Sequence, residues 1–84
     1  MRPEDHIYLL VLTPEKTLSE KLVSKVSLPG SRGRFMVLRN HAPMISSLEE
    51  GDVVFESGGT EERIHVISGF AEIVDNKVTV CVDL

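Results

Sequence analysis

A two-residue rhythm runs through this chain. Apolar residues recur at every second position in short runs, and turn-forming residues cut each run before a helix could be completed. In Lys77-Val78-Thr79-Val80-Cys81-Val82-Asp83-Leu84, one face carries Val78, Val80, Val82 and Leu84 and the other Lys77, Thr79, Cys81 and Asp83. Glu62-Arg63-Ile64-His65-Val66 alternates in the same way, which places Ile64 and Val66 inward. Ile7-Tyr8-Leu9-Leu10-Val11-Leu12 is apolar on both faces, the pattern of a central strand covered on both sides or of a strand at a partner interface. No segment holds a helical period of about 3.6 over ten residues.

Punctuation supports the same reading. Asp75-Asn76 and Gly58-Gly59 each separate two alternating runs, and Asn and Gly tolerate the positive φ of a tight hairpin. Thr13-Pro14-Glu15 and Pro29-Gly30 end earlier strands, while Gly51 and Gly69 mark further turns or bulges. The 11 Val, 5 Ile and 4 Thr stand against only 2 Ala, and β-branched side chains favour a pleated sheet over a helix. The expectation is an all-β fold, a flattened antiparallel sandwich, with residues 1–84 forming a single domain.

Charge and motif content exclude several functions. Nine Lys and Arg against 13 Asp and Glu give a net charge of −4, the wrong sign for a nucleic-acid or anionic-lipid binder. The longest uninterrupted apolar run, Ile7–Leu12, is far below the roughly 18 residues needed to cross a bilayer. Met1-Arg2-Pro3-Glu4-Asp5-His6 lacks the apolar region of a secretory signal, and the lone Cys81 fits a reducing compartment. His6, His41 and His65 are scattered and match no metal-ligand spacing, so neither metal nor cofactor is expected. Glu49-Glu50 and Glu61-Glu62 are adjacent, point to opposite strand faces, and read as solvated rather than as acid/base pairs. Gly30-Ser31-Arg32-Gly33 reads as a turn between strands, with both glycines at positive φ, since no helix or Lys-Ser/Thr follows to build a phosphate loop.

The stretch Leu28-Pro29-Gly30-Ser31-Arg32-Gly33-Arg34-Phe35-Met36-Val37-Leu38, continuing through His41-Ala42-Pro43 and Leu48 to Gly51-Asp52-Val53, resembles the epsilon subunit of F-type ATP synthases. Gly69-Phe70-Ala71-Glu72-Ile73 and Asn76-Lys77-Val78-Thr79-Val80 are similar to that family's later motif, and Leu10 to Glu15 to its first strand and turn. The resemblance implies a sandwich of about ten short strands and a non-catalytic place in the central stalk. There it would bind the gamma subunit and the c-ring loops, coupling ion-driven rotation to ATP synthesis on the cytoplasmic side of the bacterial inner membrane. It also implies a c-ring-facing loop made of Ser31, Arg32, Gly33, Arg34, His41, Ala42 and Pro43. Strand residues on the polar face of the final hairpin are the candidates for gamma, with no individual residue singled out.

Two departures carry expectations of their own. Typical members continue into an inhibitory helical hairpin, whereas this sequence stops at Leu84; a native short form and a truncated chain would both read this way, and only if the length is native is inhibition by such a hairpin unavailable. Arg34 stands where relatives often have an acid, so the facing c-ring loop is expected to be acidic or carbonyl-rich. The competing readings are a stand-alone ligand-binding sandwich and, behind it, a metal-dependent enzyme. Four aromatic residues offer little stacking surface for the first, and the missing His/carboxylate cluster weighs against the second.

Overall fold

The computed structural model describes residues 6–84. Nine strands follow one another: β1 (Ile7–Leu12), β2 (Thr17–Val23), β3 (Lys25–Leu28), β4 (Phe35–Val37), β5 (Met44–Leu48), β6 (Gly51–Ser57), β7 (Thr60–Val66), β8 (Ser68–Val74) and β9 (Lys77–Asp83). They form a five-stranded sheet in the order β2-β1-β9-β8-β5 and a four-stranded sheet in the order β4-β3-β6-β7. The expected sandwich is therefore present, with nine strands among the described residues against about ten implied by the resemblance. One pair departs from the antiparallel pattern. β1 and β9 run parallel, with Tyr8 opposite Lys77 and Leu12 opposite Cys81.

Alternation places the core between the sheets. Ile7, Leu9 and Val11 of β1 and Val78, Val80 and Val82 of β9 are buried on one side. They meet Val26 and Leu28 of β3 and Val53 and Phe55 of β6 from the other. The second face of β1 is not covered: Tyr8, Leu10 and Leu12 are half-buried on the outside of the five-stranded sheet. Of the two environments the sequence allowed for this strand, the structure shows the open one.

The turns are built as their residues demand. Asp75 and Asn76 have φ of 49° and 61°, and Gly58 and Gly59 of 59° and 80°, the left-handed pairs that suit two-residue hairpins. Thr13 is buried, and its hydroxyl donates to the Lys16 carbonyl at 3.3 Å and accepts from the Glu15 and Lys16 amides at 3.3 and 3.2 Å. This satisfies the backbone of the β1–β2 connection locally. Between β7 and β8 the chain crosses from one sheet to the other through Ile67 alone. At this corner Gly69 lies so close to β9 that a Cβ would sit 2.2 Å from the Cys81 carbonyl oxygen.

The two flanks of the sandwich differ. Along β2 and β7, Lys21 reaches across to Glu62 at 2.6 Å and closes the gap between the sheets, an inward-pointing charge of the kind that blunts exposed edges. Along β4 and β5 the sheets stay apart, joined by a bridge between Gly30 and Leu48 and by the Ser31 amide donating to the Ser47 carbonyl at 3.0 Å.

Candidate functional site

The open flank is a groove of about 640 Å³ between β4 and β5. Its walls are the Gly30–Arg34 loop on one side and Met44 to Ser47 of β5 on the other, with His41 lining it as well. Five of the residues that the family resemblance implied, Ser31, Arg32, Gly33, Arg34 and His41, line this groove together although they come from two segments of the chain. Ala42 and Pro43 are exposed on the segment that leads into β5 and are not part of the groove wall.

Packing sets the shape of the Gly30–Arg34 loop. A Cβ on Gly30 would lie 2.8 Å from both the Gly33 carbonyl oxygen and the Phe35 ring, so the turn closes only over a bare α-carbon. Gly33 has φ of 125°, while Gly30 does not have positive φ. The expectation of two left-handed glycines therefore fails at Gly30, where close approach takes the place of backbone conformation. The Ser31 and Ser47 hydroxyls meet at 2.7 Å and hold the loop to β5.

Arg34 does not stand out from the loop tip. Its Nη1 donates to Ser27 Oγ at 2.9 Å and its Nη2 to the Asp52 carbonyl at 2.6 Å, which lays the guanidinium back over the four-stranded sheet. Arg32, exposed at the tip, is the cation that faces outward. His41 Nδ1 lies 2.7 Å from the Ala42 carbonyl. Because a carbonyl only accepts, Nδ1 carries the proton, and in the neutral ring Nε2 keeps a free lone pair. Groove chemistry thus combines one outward cation, serine hydroxyls and an imidazole nitrogen, flanked by the exposed side chain of Ile45.

A charged cluster that the sequence reading left as solvated surface occupies the outside of the four-stranded sheet. His65 Nδ1 donates to Asp52 Oδ1 at 2.8 Å and Nε2 to Glu50 Oε2 at 3.2 Å. Arg63 lies 3.5 Å from Asp52 and 3.1 Å from Glu61. With a carboxylate on each ring nitrogen, first Asp52 and then Glu50, His65 holds its proton above the usual imidazole range. The His65 hydrogen bond in turn, with help from Arg63, holds the Asp52 carboxyl below its ordinary value. Counting outward from the Gly58-Gly59 turn places Asp52 opposite His65, so the hairpin register was the signal that could have found this pair. Among the described residues, no group of three His, Cys, Asp or Glu is arranged to hold a metal.

A third surface is the outside of the five-stranded sheet. Phe70 and Ile45 are 52% and 73% exposed there, beside half-buried Leu10, Leu12 and Cys81. The register sets Phe70 opposite Cys81, and Cys81 opposite Leu12, in one row across the sheet.

The fold is that of a small two-sheet β-sandwich domain. The chain belongs to the family described as ATP synthase, Delta/Epsilon chain, beta-sandwich domain, whose model matches residues 6–84. It is 40% identical over 77 residues to the ATP synthase epsilon chain of Nitratidesulfovibrio vulgaris (strain DSM 19637 / Miyazaki F), covering 92% of this chain and 58% of that one. It is 45% identical over 75 residues to the ATP synthase epsilon chain of Magnetococcus marinus, covering 89% and 55%. The chain thus spans a little over half the length of these curated relatives. Among solved structures, it matches a chain of the Euglena gracilis mitochondrial ATP synthase (OSCP/F1/c-ring in rotational state 1) with a TM-score of 0.86 at 21% identity, covering 93% of this chain and 51% of that one. A chain of the Tetrahymena thermophila mitochondrial ATP synthase central stalk and c-ring matches with a TM-score of 0.72 at 14% identity, covering 92% and 63%. Both carry the same sandwich fold.

Proposed function

We propose that this chain is a non-catalytic central-stalk subunit of an F-type ATP synthase, peripheral to the cytoplasmic face of a bacterial inner membrane. It docks against the gamma subunit and the c-ring loops and couples ion-driven rotation to ATP synthesis. The observation that carries this reading is the family match, which runs from His6 to Leu84 and takes in every strand. Relatives at 40–45% identity named as ATP synthase epsilon chains support it.

Two surfaces suit two partners. Apolar side chains left uncovered on a sheet face favour a stable protein contact, and the outside of the five-stranded sheet is assigned to gamma. The molecule measures 33 × 24 × 19 Å, so its broad face offers about 800 Å², the share one partner gives to a standard interface. The lateral groove, more polar and loop-built, is assigned to the c-ring loops. Because Arg34 is held by Ser27 and Asp52, the acidic or carbonyl-rich partner surface expected opposite Arg34 is reassigned to Arg32. A sandwich with a close-packed core transmits load between two such surfaces because its interior resists deformation.

The test is co-elution of the 84-residue chain with the gamma subunit of the same organism, with calorimetry for affinity. A one-to-one complex at submicromolar Kd is expected. Leu10→Asp should weaken it about a hundredfold or more by burying an unpaired charge, with the far-ultraviolet spectrum unchanged. Failure of the unaltered chain to bind gamma at tens of micromolar would overturn the stalk role. Equal binding by Leu10→Asp would overturn the assignment of this face.

A further inference from the structure

The segment between Val37 and Met44 holds no buried side chain. Leu38, Arg39, Asn40, Ala42 and Pro43 are exposed, and His41 is half-buried in the groove wall. Core packing therefore does not fix where His41 stands; hydrogen bonds must. Within the segment the His41 amide donates to the Leu38 carbonyl at 3.2 Å, and the shortest bond reaching the segment from outside comes from a distant turn. The Asn40 amide donates to Asn76 Oδ1 at 2.6 Å, and Asn76 Nδ2 donates back to Asn40 Oδ1 at 3.3 Å.

We infer that Asn76, in the β8–β9 turn, is a positioning residue for the docking loop: its side-chain amide clasps Asn40 and thereby sets where His41 stands in the lateral groove. This deepens, and rests on, the assignment of that groove to the c-ring loops. Three further observations converge on it. Both residues are in the left-handed region, Asn40 at 67° and Asn76 at 61°. Asparagine tolerates that conformation, and the reciprocal amide pair gives its side chain a second role at both places. The turn itself is anchored, because the Tyr8 amide donates to the Asn76 carbonyl at 2.9 Å and ties it to the central strand β1. Arg39 secures the same corner by donating from Nη1 to the His6 carbonyl at 3.3 Å. Downstream, Pro43 fixes φ and Met44 pairs with Ile73, so the loop is held on both sides of His41.

The clasp makes the groove a composite of sequence-distant parts. The β8–β9 hairpin, which does not line the groove, sets the position of one of its walls. Rotation about the His41 side chain is limited by its own bond to the Ala42 carbonyl. Fixing the Asn40 backbone then fixes the imidazole nitrogen that is left for a partner. A loop so held loses less freedom on docking than one that samples many positions.

Two variants of the 84-residue chain separate positioning from turn formation. Asn76→Gly keeps the left-handed turn and removes the clasp, whereas Asn76→Asp keeps the acceptor for the Asn40 amide. Each is measured for amide exchange at Asn40 by NMR, for thermal midpoint, and for association with gamma and with purified c-rings. In Asn76→Gly, the Asn40 amide should exchange about three- to tenfold faster and ring association should weaken by a similar factor. The gamma complex should be unchanged, and Asn76→Asp should stay close to the unaltered chain. Unchanged exchange or unchanged ring binding in Asn76→Gly would overturn the inference, as would equal loss in both variants. If the unaltered chain itself does not bind c-rings, the groove assignment falls and the docking role of Asn76 falls with it. That outcome is distinct from a difference that fails to appear between variants.

Discussion

Replacing Gly69 by alanine tests the tightest point of the fold. The new Cβ would sit 2.2 Å from the Cys81 carbonyl oxygen, 3.0 Å from Val82 Cα and 3.1 Å from Val82 Cγ1. A carbon–oxygen contact normally settles beyond about 3.3 Å, so β8 must move roughly an ångström away from a strand held on its other edge by β1. Such a shift opens the pairing of Ser68 with Asp83 and of Gly69 with Val82. Two weakened backbone hydrogen bonds at about 0.5–1.5 kcal/mol each add to roughly 1–3 kcal/mol of steric strain. Loss of glycine's freedom in the unfolded chain offsets about 0.4–1 kcal/mol, which leaves a net cost of roughly 1–6 kcal/mol. For a domain of this size, at about 4–8 °C per kcal/mol, that lowers the thermal midpoint by roughly 5–45 °C. Urea and thermal unfolding followed by circular dichroism measure it. Gly58→Ala is the control: its Cβ meets nothing within 4 Å, so only its φ of 59° carries a penalty, about 1–2 kcal/mol. If Gly69→Ala proves no more damaging than Gly58→Ala, the steric argument is wrong.

The His65 cluster predicts a pH dependence. His65 has its folded pKa raised above 6.5, so its contribution is complete below that pH and fades as pH rises through the folded value. Asp52 is lowered from 3.8, so its share is present above 3.8 and is lost as pH falls through the folded value. His65→Gln should therefore cost most between these limits and little in alkaline solution, as read by urea midpoints at pH 5.5 and 8.5; a constant difference would count against the clamp. Thr13→Val should cost about 0.5–1.5 kcal/mol by removing the hydroxyl's bonds to the amides of exposed Glu15 and Lys16, again from urea midpoints. Lys21→Met should change stability by less than about 1 kcal/mol, since the side chains of the Lys21–Glu62 pair are 35% and 44% exposed and solvent screens them. Its effect should appear instead as salt-dependent self-association through the uncapped β2 and β7 edges, detectable by analytical ultracentrifugation.

The alternation of Val78, Val80 and Val82 showed which side of β9 faces the core, and Gly58-Gly59 and Asp75-Asn76 marked two hairpins correctly. These features are local, set by the two-residue period and by tolerance of positive φ. The parallel pairing of β1 with β9 depends on the whole topology, and no nearby residue announces it. The groove was half legible. Its loop residues were named from a family resemblance, yet the direction of Arg34 depends on Ser27 and the Asp52 carbonyl, which only the assembled sheet brings within reach. Asn76 was read as a turn residue, and its second role lay hidden because Asn40 is 36 residues away in the chain. The outer face of β1 stood between two readings, since an apolar row looks the same in sequence whether another layer covers it or not.

The parallel β1–β9 pair has a mechanical consequence. Because the two strands point the same way, the start of β1 and the end of β9 lie at opposite ends of the ladder they share. A pull applied between those two points loads the rungs from Tyr8–Lys77 to Leu12–Cys81 lengthwise and together. An antiparallel pair loaded at neighbouring ends would instead peel open one rung at a time. Force spectroscopy on tethers attached at the two strand ends should record a single abrupt rupture rather than a gradual unzipping. Under the proposed stalk role, β1 and β9 would then work as a shear clamp, holding the sandwich shut under the tension most able to open it.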